Sequence, residues 1–166
     1  MKYSDARPSI KSGDVLAWSH RGWKTWYDIK LQVVRMWTRS EYCHVGIAWV
    51  VGSRVFVLEA VSTGVQIVPL SGLLPCYWIS LKAFPFTEEV LTDALWHVKS
   101  PYSYWQALLA GLHLKERIMD TKWQCAEYVQ YILGNAGYEF LSEETPAATV
   151  RELNEKYDGA PIWLNP

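Results

Sequence analysis

The sequence lacks the features that usually identify a membrane-spanning or a nucleic-acid-binding chain. No apolar run approaches the roughly 20 residues that a membrane-spanning helix needs, and residues 1–14 are polar, without the apolar core of a signal peptide. Lysine and arginine do not cluster, and the 166 residues carry a formal net charge of −1. We therefore expect no transmembrane segment and no nucleic-acid partner.

Cysteine is also scarce. The chain has three cysteines, Cys43, Cys76 and Cys125, and they lie far apart. No pair has the short spacing of a zinc site, and three such residues do not make a disulfide framework. We predict no metal ion and no other cofactor. Unpaired cysteines are typical of a reducing compartment, so a cytoplasmic location is the default expectation and a phage- or cell-associated one is the alternative.

Apolar residues, by contrast, are abundant. Half of the sequence is hydrophobic, and ten of the 166 residues are tryptophan. This length suits a single domain, residues 1–166, with a substantial core. Most of the tryptophans are expected to pack in that core. The alternative for a minority is a groove that holds an acyl chain, a sugar or a peptide.

Hydrophobic periodicity predicts an α+β chain with a small antiparallel sheet packed by helices. The predicted strands are 15–18, 40–51, 54–60, 65–69 and 76–84. The predicted helices are 23–39, 87–99, 104–114, the stretch 121–134 and a short helix at about 147–156. We predict a core of about residues 12–137, a C-terminal helix and tail at 145–166, and an irregular tail from residue 158 onwards.

One predicted helix carries a cysteine in its first turns. Thr121 and Gln124 have the spacing of a capping box, and Gly134 and Gly137 are stop signals. One apolar stripe along this helix contains Cys125, Tyr128, Val129, Ile132 and Leu133. Cys125 is therefore expected to face the interior near the positive end of the helix dipole, which favours a thiolate if a base lies opposite. The alternative is a structural cysteine in the core.

A histidine in the second predicted strand could supply that base. Side chains alternate along a strand, so His44, Gly46 and Ala48 share one face and Cys43 points to the other. Cys43 is thus an improbable partner for its own neighbour. The small side chains at Gly46 and Ala48 leave room beside His44, and we expect the Cys125 helix to pack there.

Glu59 interrupts an otherwise apolar strand. A buried carboxylate costs several kcal/mol unless it is paired or hydrogen-bonded. With a hairpin turn at Gly52 and Ser53, residue 44 pairs near residue 60, which brings Glu59 close to His44. An imidazole that needs an orienting acceptor would account for the carboxylate. The alternative is a glutamate on an edge strand that reaches solvent.

Four short motifs occur in order along the chain. They are Ser12-Gly13-Asp14-Val15-Leu16, Tyr42-Cys43-His44-Val45-Gly46-Ile47, Leu58-Glu59-Ala60 with Gly64-Val65, and Gln124-Cys125-Ala126-Glu127-Tyr128-Val129. In this order they resemble the circularly permuted branch of the NlpC-type papain-like cysteine hydrolases, which includes YiiX-like and lecithin:retinol acyltransferase-like proteins. The resemblance covers roughly residues 12–137. It implies a permuted papain-like fold in which the histidine strand precedes the nucleophile helix.

The resemblance also implies roles for individual residues. Cys125 would be the nucleophile, His44 the general base and Glu59 the third, orienting member of the triad. Tyr102, after Pro101, resembles the tyrosine whose hydroxyl helps to hold the oxyanion. The sequence departs from the pattern at two positions: Ser103 stands where aspartate is frequent, and Cys43 stands where serine is common.

The function implied is acyl transfer through an acyl-enzyme. The first hypothesis is a cysteine hydrolase of the peptidase or amidase type, acting on an amide or ester in a peptide or cell-wall peptide. The second is an acyltransferase or thioesterase acting on a lipid, and the third is a binding or structural module without turnover. His20 is expected in a loop, with a position at the border of the site as the alternative, and His97 and His113 are expected in helices as surface or core residues. A metal site built from the three triad residues is a minor alternative.

Overall fold

The fold is built on one antiparallel sheet. The computed structural model of the chain describes residues 1–19, 41–101, 123–141 and 143–166. The strands in these ranges are β1 (Val15–Trp18), β2 (His44–Val51), β3 (Arg54–Val61), β4 (Gly64–Pro69), β5 (Cys76–Ile79) and β6 (Pro161–Leu164). Their order across the sheet is β4-β3-β2-β1-β5-β6. The helices are α1 (Tyr3–Ala6), α2 (Glu88–Trp96), α3 (Cys125–Asn135) and α4 (Pro146–Tyr157). The α+β prediction is confirmed.

The central hairpins follow from alternation and from two glycines. β2 and β3 pair from Ile47 opposite Leu58 to the tight turn at Gly52, whose φ of 59° is the left-handed conformation that glycine adopts without strain. Gly64 opens β4 with φ of 109°, and a Cβ there would lie 2.5 Å from the backbone oxygen of Ser100. These turns set the register of β2, β3 and β4, and with it the side chains that share each face.

Both faces of the sheet are covered by apolar side chains. On one face the strands pack against α3; the buried strand residues there include Val45, Ile47, Leu58 and Ala60. On the other face, buried side chains pack with the N-terminal segment; they include Ala6, Ile10, Leu16, Trp18, Ala48 and Val57. Full burial of a large apolar side chain contributes about 1.5–3 kcal/mol to the stability of the folded state. The two apolar layers therefore stabilise the sheet from both faces.

Helix α3 starts later than the spacing of Thr121 and Gln124 predicts. Gln124 itself is the N-cap, and its side chain accepts from the backbone of Glu127 while the Glu127 carboxylate accepts from the Gln124 N–H. This capping box makes Cys125 the first residue of the helix. The predicted box was therefore wrong by one helical turn, and Thr121 lies outside the described residues. At the other end Gly137, with φ of 110°, ends the helix as predicted.

Several predicted boundaries need correction. β2 begins at His44 rather than residue 40, and β5 ends at Ile79 rather than residue 84. The N–H of Leu81 donates to the Asp14 carboxylate instead of continuing a ladder, which explains the short β5. The predicted helices 23–39 and 104–114 lie outside the described residues.

The C-terminal tail was predicted to be irregular, and this was wrong. Residues 161–164 form β6, an edge strand paired with β5. Leu164 is fully buried in the layer that contains α1, and Pro161 occupies the first position of the edge strand, where its missing N–H is tolerated. The burial of the Leu164 side chain and the pairing with β5 hold the tail in an extended conformation.

Candidate functional site

Three elements bring His44, Glu59 and Cys125 together. His44 is the first residue of β2, Glu59 lies near the end of β3, and Cys125 is the first residue of α3. All three side chains are buried: the residues are 9%, 0% and 6% exposed, in that order. Cys125, which lies more than 60 positions after the other two residues in the sequence, thus joins them in one cluster of ionisable groups.

The imidazole and the carboxylate form a short hydrogen bond. The distance between Nε2 of His44 and Oε2 of Glu59 is 2.6 Å. The β2–β3 register, continued from the paired residues, places Glu59 opposite Gly46 and therefore on the same face as His44, two residues along. Because Glu59 is fully buried, the alternative of an edge glutamate that reaches solvent is excluded.

Gln66, which the sequence reasoning did not assign to the site, contacts the other carboxylate oxygen. Its Nε2 donates to Oε1 of Glu59 over 2.9 Å, and the two residues are directly paired across β3 and β4. A polar residue in the middle of an apolar strand, opposite a buried glutamate, is the signal that could have identified it. The buried carboxylate therefore faces polar donors at both oxygens, which offsets the cost of burying it.

The thiol of Cys125 contacts His44. Burial of the imidazole disfavours its protonation and lowers the pKa of His44. This effect is outweighed by the hydrogen bonds with Cys125 and Glu59 and by the electrostatic attraction of both groups, which together raise the pKa of His44 to about 9. Since Nε2 is engaged with Glu59, Nδ1 is the ring nitrogen left for the thiol. His44 is therefore held as an imidazolium around neutral pH, beside a sulfur that can carry the matching negative charge.

Helix α3 approaches His44 from a direction that the sequence did not predict. We expected it to pack over Gly46 and Ala48, but it packs on the opposite face, against the layer that contains Val45 and Ile47. The space beside Gly46 is filled by β3, since a Cβ there would lie 2.7 Å from Cγ1 of Val57 and 3.3 Å from Cβ of Glu59. This expectation was wrong because a glycine can serve the close approach of a neighbouring strand as well as that of a helix.

The contact between thiol and imidazole is made at the end of the sheet. The β2–β3 ladder stops at Ile47 and Leu58, while His44 and its neighbours pair with β1. The paired register of β2 and β3 extends no further than Ile47 and Leu58, and beyond it the first residue of α3 meets the first residue of β2. Helix α3, which packs on one face of the sheet, thus contacts His44, whose side chain belongs by alternation to the opposite face.

Backbone groups at the start of α3 add a positive potential to the site. The first N–H groups of a helix have no intrahelical acceptor, and their dipoles favour a negative charge nearby. The Gln124 side chain does not add a donor to the site, because its Nε2 donates to the backbone oxygen of Glu144. Tyr102, predicted to help at an oxyanion, lies outside the described residues.

An indole covers one side of the imidazole. The ring of Trp18, at the end of β1, lies with its centroid 5.3 Å from that of His44, and its Nε1 donates to the backbone oxygen of Leu73. The β1–β2 register pairs these two residues directly. Trp18 was predicted only as a strand residue. Its role as a cover of the site depends on a strand pairing that the sequence pattern did not specify.

The two other cysteines lie elsewhere. The thiol of Cys43 donates to the backbone oxygen of Trp18 over 3.2 Å. Cys76 is fully buried in the apolar layer on the α1 side, and burial raises the pKa of its thiol to about 12. His97 packs at the C-terminus of α2 against Trp123. His20 and His113 lie outside the described residues.

Comparison with known proteins supports the fold and goes no further. No protein-family model matches the chain, and a search of curated proteins finds no significant match. Among solved structures, the crystal structure of the metalloprotein YiiX from Escherichia coli O157:H7 (DUF1105) is similar, with a TM-score of 0.56 and 17% sequence identity. The match covers 93% of this chain and 88% of that one. The chain thus has a fold like that of YiiX, as the resemblance implied.

Among residues 1–19, 41–101, 123–141 and 143–166, no helix has the length and apolar character required to cross a membrane.

Proposed function

We propose that the chain is a cysteine-dependent hydrolase that cleaves an amide or ester bond through an acyl-enzyme, on a circularly permuted NlpC-type papain-like fold. One observation carries this proposal: the thiol at the N-terminus of α3 contacts an imidazole whose other nitrogen is held by a buried carboxylate. A nucleophile, a base and an orienting group in mutual contact are what nucleophilic catalysis requires.

The first half of the reaction uses the ion pair. The thiolate of Cys125 attacks the carbonyl carbon, a C–S bond forms, and the carbonyl electrons move to oxygen. The backbone N–H of Cys125 and the dipole of α3 stabilise that oxyanion. His44 then donates its proton to the leaving nitrogen or oxygen as the bond to the carbonyl carbon breaks. The product is an acyl-enzyme and a free amine or alcohol.

The second half returns the enzyme to its starting state. The neutral imidazole of His44 takes a proton from water, whose oxygen attacks the thioester carbon. The C–S bond breaks, the acid product leaves, and the proton remains with His44 beside the regenerated thiolate. Throughout both halves Glu59 keeps Nε2–H of His44 as a donor, which fixes the ring orientation and stabilises its positive form.

The substrate that we propose is a peptide or cell-wall peptide. Transfer of the acyl group to an acceptor other than water, or hydrolysis of a lipid thioester, uses the same first half-reaction. The aromatic content of the chain favours this lipid alternative. A module without turnover would keep the fold and lose the reactivity of Cys125.

A metal centre does not fit these residues. YiiX is described as a metalloprotein, but in the described part of this chain no group of three or more histidine, cysteine, aspartate or glutamate side chains is arranged to hold a metal ion. Nε2 of His44 and Oε2 of Glu59, which would be donors to a metal, instead face each other at 2.6 Å. The proposed reaction therefore includes no metal-bound step.

The choice of nucleophile is tested by covalent labelling. Cys125→Ala should abolish labelling by an electrophilic acyl probe, because the attacking sulfur is gone. Cys43→Ser is the matched control and should keep labelling, since that thiol is hydrogen-bonded to the Trp18 carbonyl. Mass spectrometry of the labelled peptide identifies the site. Normal labelling of Cys125→Ala would overturn the assignment.

Activation of the nucleophile is tested by the pH dependence of alkylation. An ordinary thiol has a pKa near 8.5 and reacts slowly with iodoacetamide below about pH 7. With the imidazolium of His44 and the helix dipole beside it, Cys125 should still be alkylated at about pH 5–6. His44→Ala should move the onset of alkylation towards the ordinary range. Coinciding profiles for wild type and His44→Ala would favour the module without turnover.

A further inference from the structure

Gln66 occupies a defined position relative to the carboxylate of Glu59. The two residues are directly paired across β3 and β4, and Nε2 of Gln66 lies 2.9 Å from Oε1 of Glu59. Oε2 of the same carboxylate lies 2.6 Å from Nε2 of His44. The amide and the imidazole therefore contact different oxygens of one buried carboxylate.

We propose that Gln66 is a positioning residue for the His44–Glu59 pair, acting through the carboxylate that it holds. This inference rests on the proposed function, because it gives Gln66 a role in setting the reactivity of Cys125. Its role is to fix the rotation of the Glu59 carboxylate so that Oε2 points at the imidazole.

The physical argument concerns both geometry and charge. A glutamate side chain has three rotatable bonds and a terminal torsion with a broad energy minimum, so a single contact with His44 does not fix the carboxylate plane. A second donor on Oε1 restricts that torsion and stabilises the ionised form of the carboxylate. An ionised, correctly oriented Glu59 in turn stabilises the imidazolium of His44, and the imidazolium stabilises the thiolate.

The described neighbours of the imidazole differ from Gln66 in what they contact. In the described part of the chain, the titratable groups that act on His44 are Glu59 from β3 and Cys125 from α3. Trp18 covers the imidazole ring, but its Nε1 is directed to the Leu73 carbonyl. Removal of the Gln66 donor should therefore weaken the pair without removing any of its charges.

The test replaces the amide with a side chain of equal length that cannot donate. In Gln66→Met, the onset of iodoacetamide labelling of Cys125 should move upward by about 0.5–1 pH unit. This is the size expected for the loss of one hydrogen bond to the charged Glu59 carboxylate, which acts on Cys125 through His44. In a Cys125→Ala background, the pKa of His44 measured by NMR titration should fall for the same reason. Neither readout responds to a general loss of stability as long as the protein stays folded.

Val68→Ala is the matched control. Val68 lies on the same face of β4, two residues from Gln66, and packs in the apolar layer on the α1 side. Its truncation should lower the free energy of unfolding and leave the alkylation profile of Cys125 unchanged. Thermal unfolding of both variants confirms that the measurements are made on folded protein, and Gln66→Leu serves if Gln66→Met does not fold.

The outcomes separate this inference from the proposed function. If His44→Ala shifts the alkylation profile and Gln66→Met does not, Gln66 has a structural role alone and the inference is overturned. If His44→Ala leaves the profile unchanged, the proposed function fails; a fall in the NMR pKa of His44 in Gln66→Met would still support the positioning role. Equal profiles for Gln66→Met and Val68→Ala also overturn the inference.

Discussion

Three carboxylates are buried in the described part of the chain. One of them, Glu152, pairs with Lys156, and the other two, Asp14 and Glu59, differ in their partners. Asp14, just before β1, is 1% exposed and accepts from the Trp78 indole, the Leu81 N–H and the Lys11 N–H at 2.8–2.9 Å. Glu59 is fully buried and faces His44 and Gln66. The donors at Asp14 have no charge and do not titrate near neutral pH. At Glu59 one partner is an imidazole that does.

The difference shows that burial of a carboxylate does not identify a functional site. At Asp14, burial raises the pKa of the carboxyl against the effect of its hydrogen bonds, and no neighbour gains reactivity from it. The three donors come from separate segments, so Asp14 ties β1 to β5 and to the loop after β5. At Glu59 the carboxylate changes the protonation of His44, which contacts a thiol. The titratable partner distinguishes the two sites.

The largest effect expected is on stability, at Asp14. Asp14→Ala leaves two buried N–H groups, of Trp78 and Leu81, and the partly buried N–H of Lys11 without their acceptor. This should lower the free energy of unfolding by about 3–5 kcal/mol. Urea denaturation monitored by tryptophan fluorescence measures the change. Alkylation of Cys125 in the folded variant should keep its wild-type pH profile. A shifted profile would show that the two carboxylate sites are coupled.

The next effect is a pH dependence that belongs to the Glu59 site. The pKa of His44 is raised from 6.5 to about 9, so the stability that its proton contributes is complete below about pH 6.5 and is lost as pH rises to about 9. The free energy of unfolding should fall over this window by about 3 kcal/mol at most. Urea titrations at several pH values under reducing conditions measure it.

His44→Gln is the control for that pH dependence. Glutamine can still donate to Glu59 but does not titrate, so the variant should lose the fall in stability between pH 6.5 and 9. Asp14→Asn should retain it, because the Asp14 site has no partner that titrates in this window. A fall of equal size in wild type and His44→Gln would mean that His44 does not carry the effect.

The smallest effect compares one chemical change at both carboxylates. Glu59→Gln keeps an acceptor for His44 but removes the charge, so the alkylation rate of Cys125 at pH 6 should fall by about 10–30-fold. Asp14→Asn makes the same change at the other site and should leave the rate within about twofold of wild type. If both variants slowed alkylation equally, loss of stability rather than loss of the ion pair would be the cause.

Local patterns in the sequence predicted much of the described fold. Alternation of side chains and the conformations of glycine residues account for four features: strand β1, the hairpin at Gly52, the turn at Gly64 and the end of the Cys125 helix. Such features depend on neighbours within a few residues, which is why they can be predicted locally. The prediction placed the N-terminus of α3 one turn too early. Two pairs of residues, Thr121 with Gln124 and Gln124 with Glu127, have capping-box spacing, and only the packed structure shows which pair caps the helix.

The sequence by itself determined which residues of the candidate site have the required chemistry. A cysteine at a helix start, a histidine in a strand and a glutamate among apolar residues are all visible without a structure. Only the tertiary structure decided how they meet: α3 packs on the face opposite Gly46, and the β2–β3 ladder stops before His44. It also decided the contact of Gln66 with Glu59 and the pairing of β6. Alternation fixes the face to which a side chain belongs, but the extent of a ladder and the strands beside it depend on contacts between distant segments.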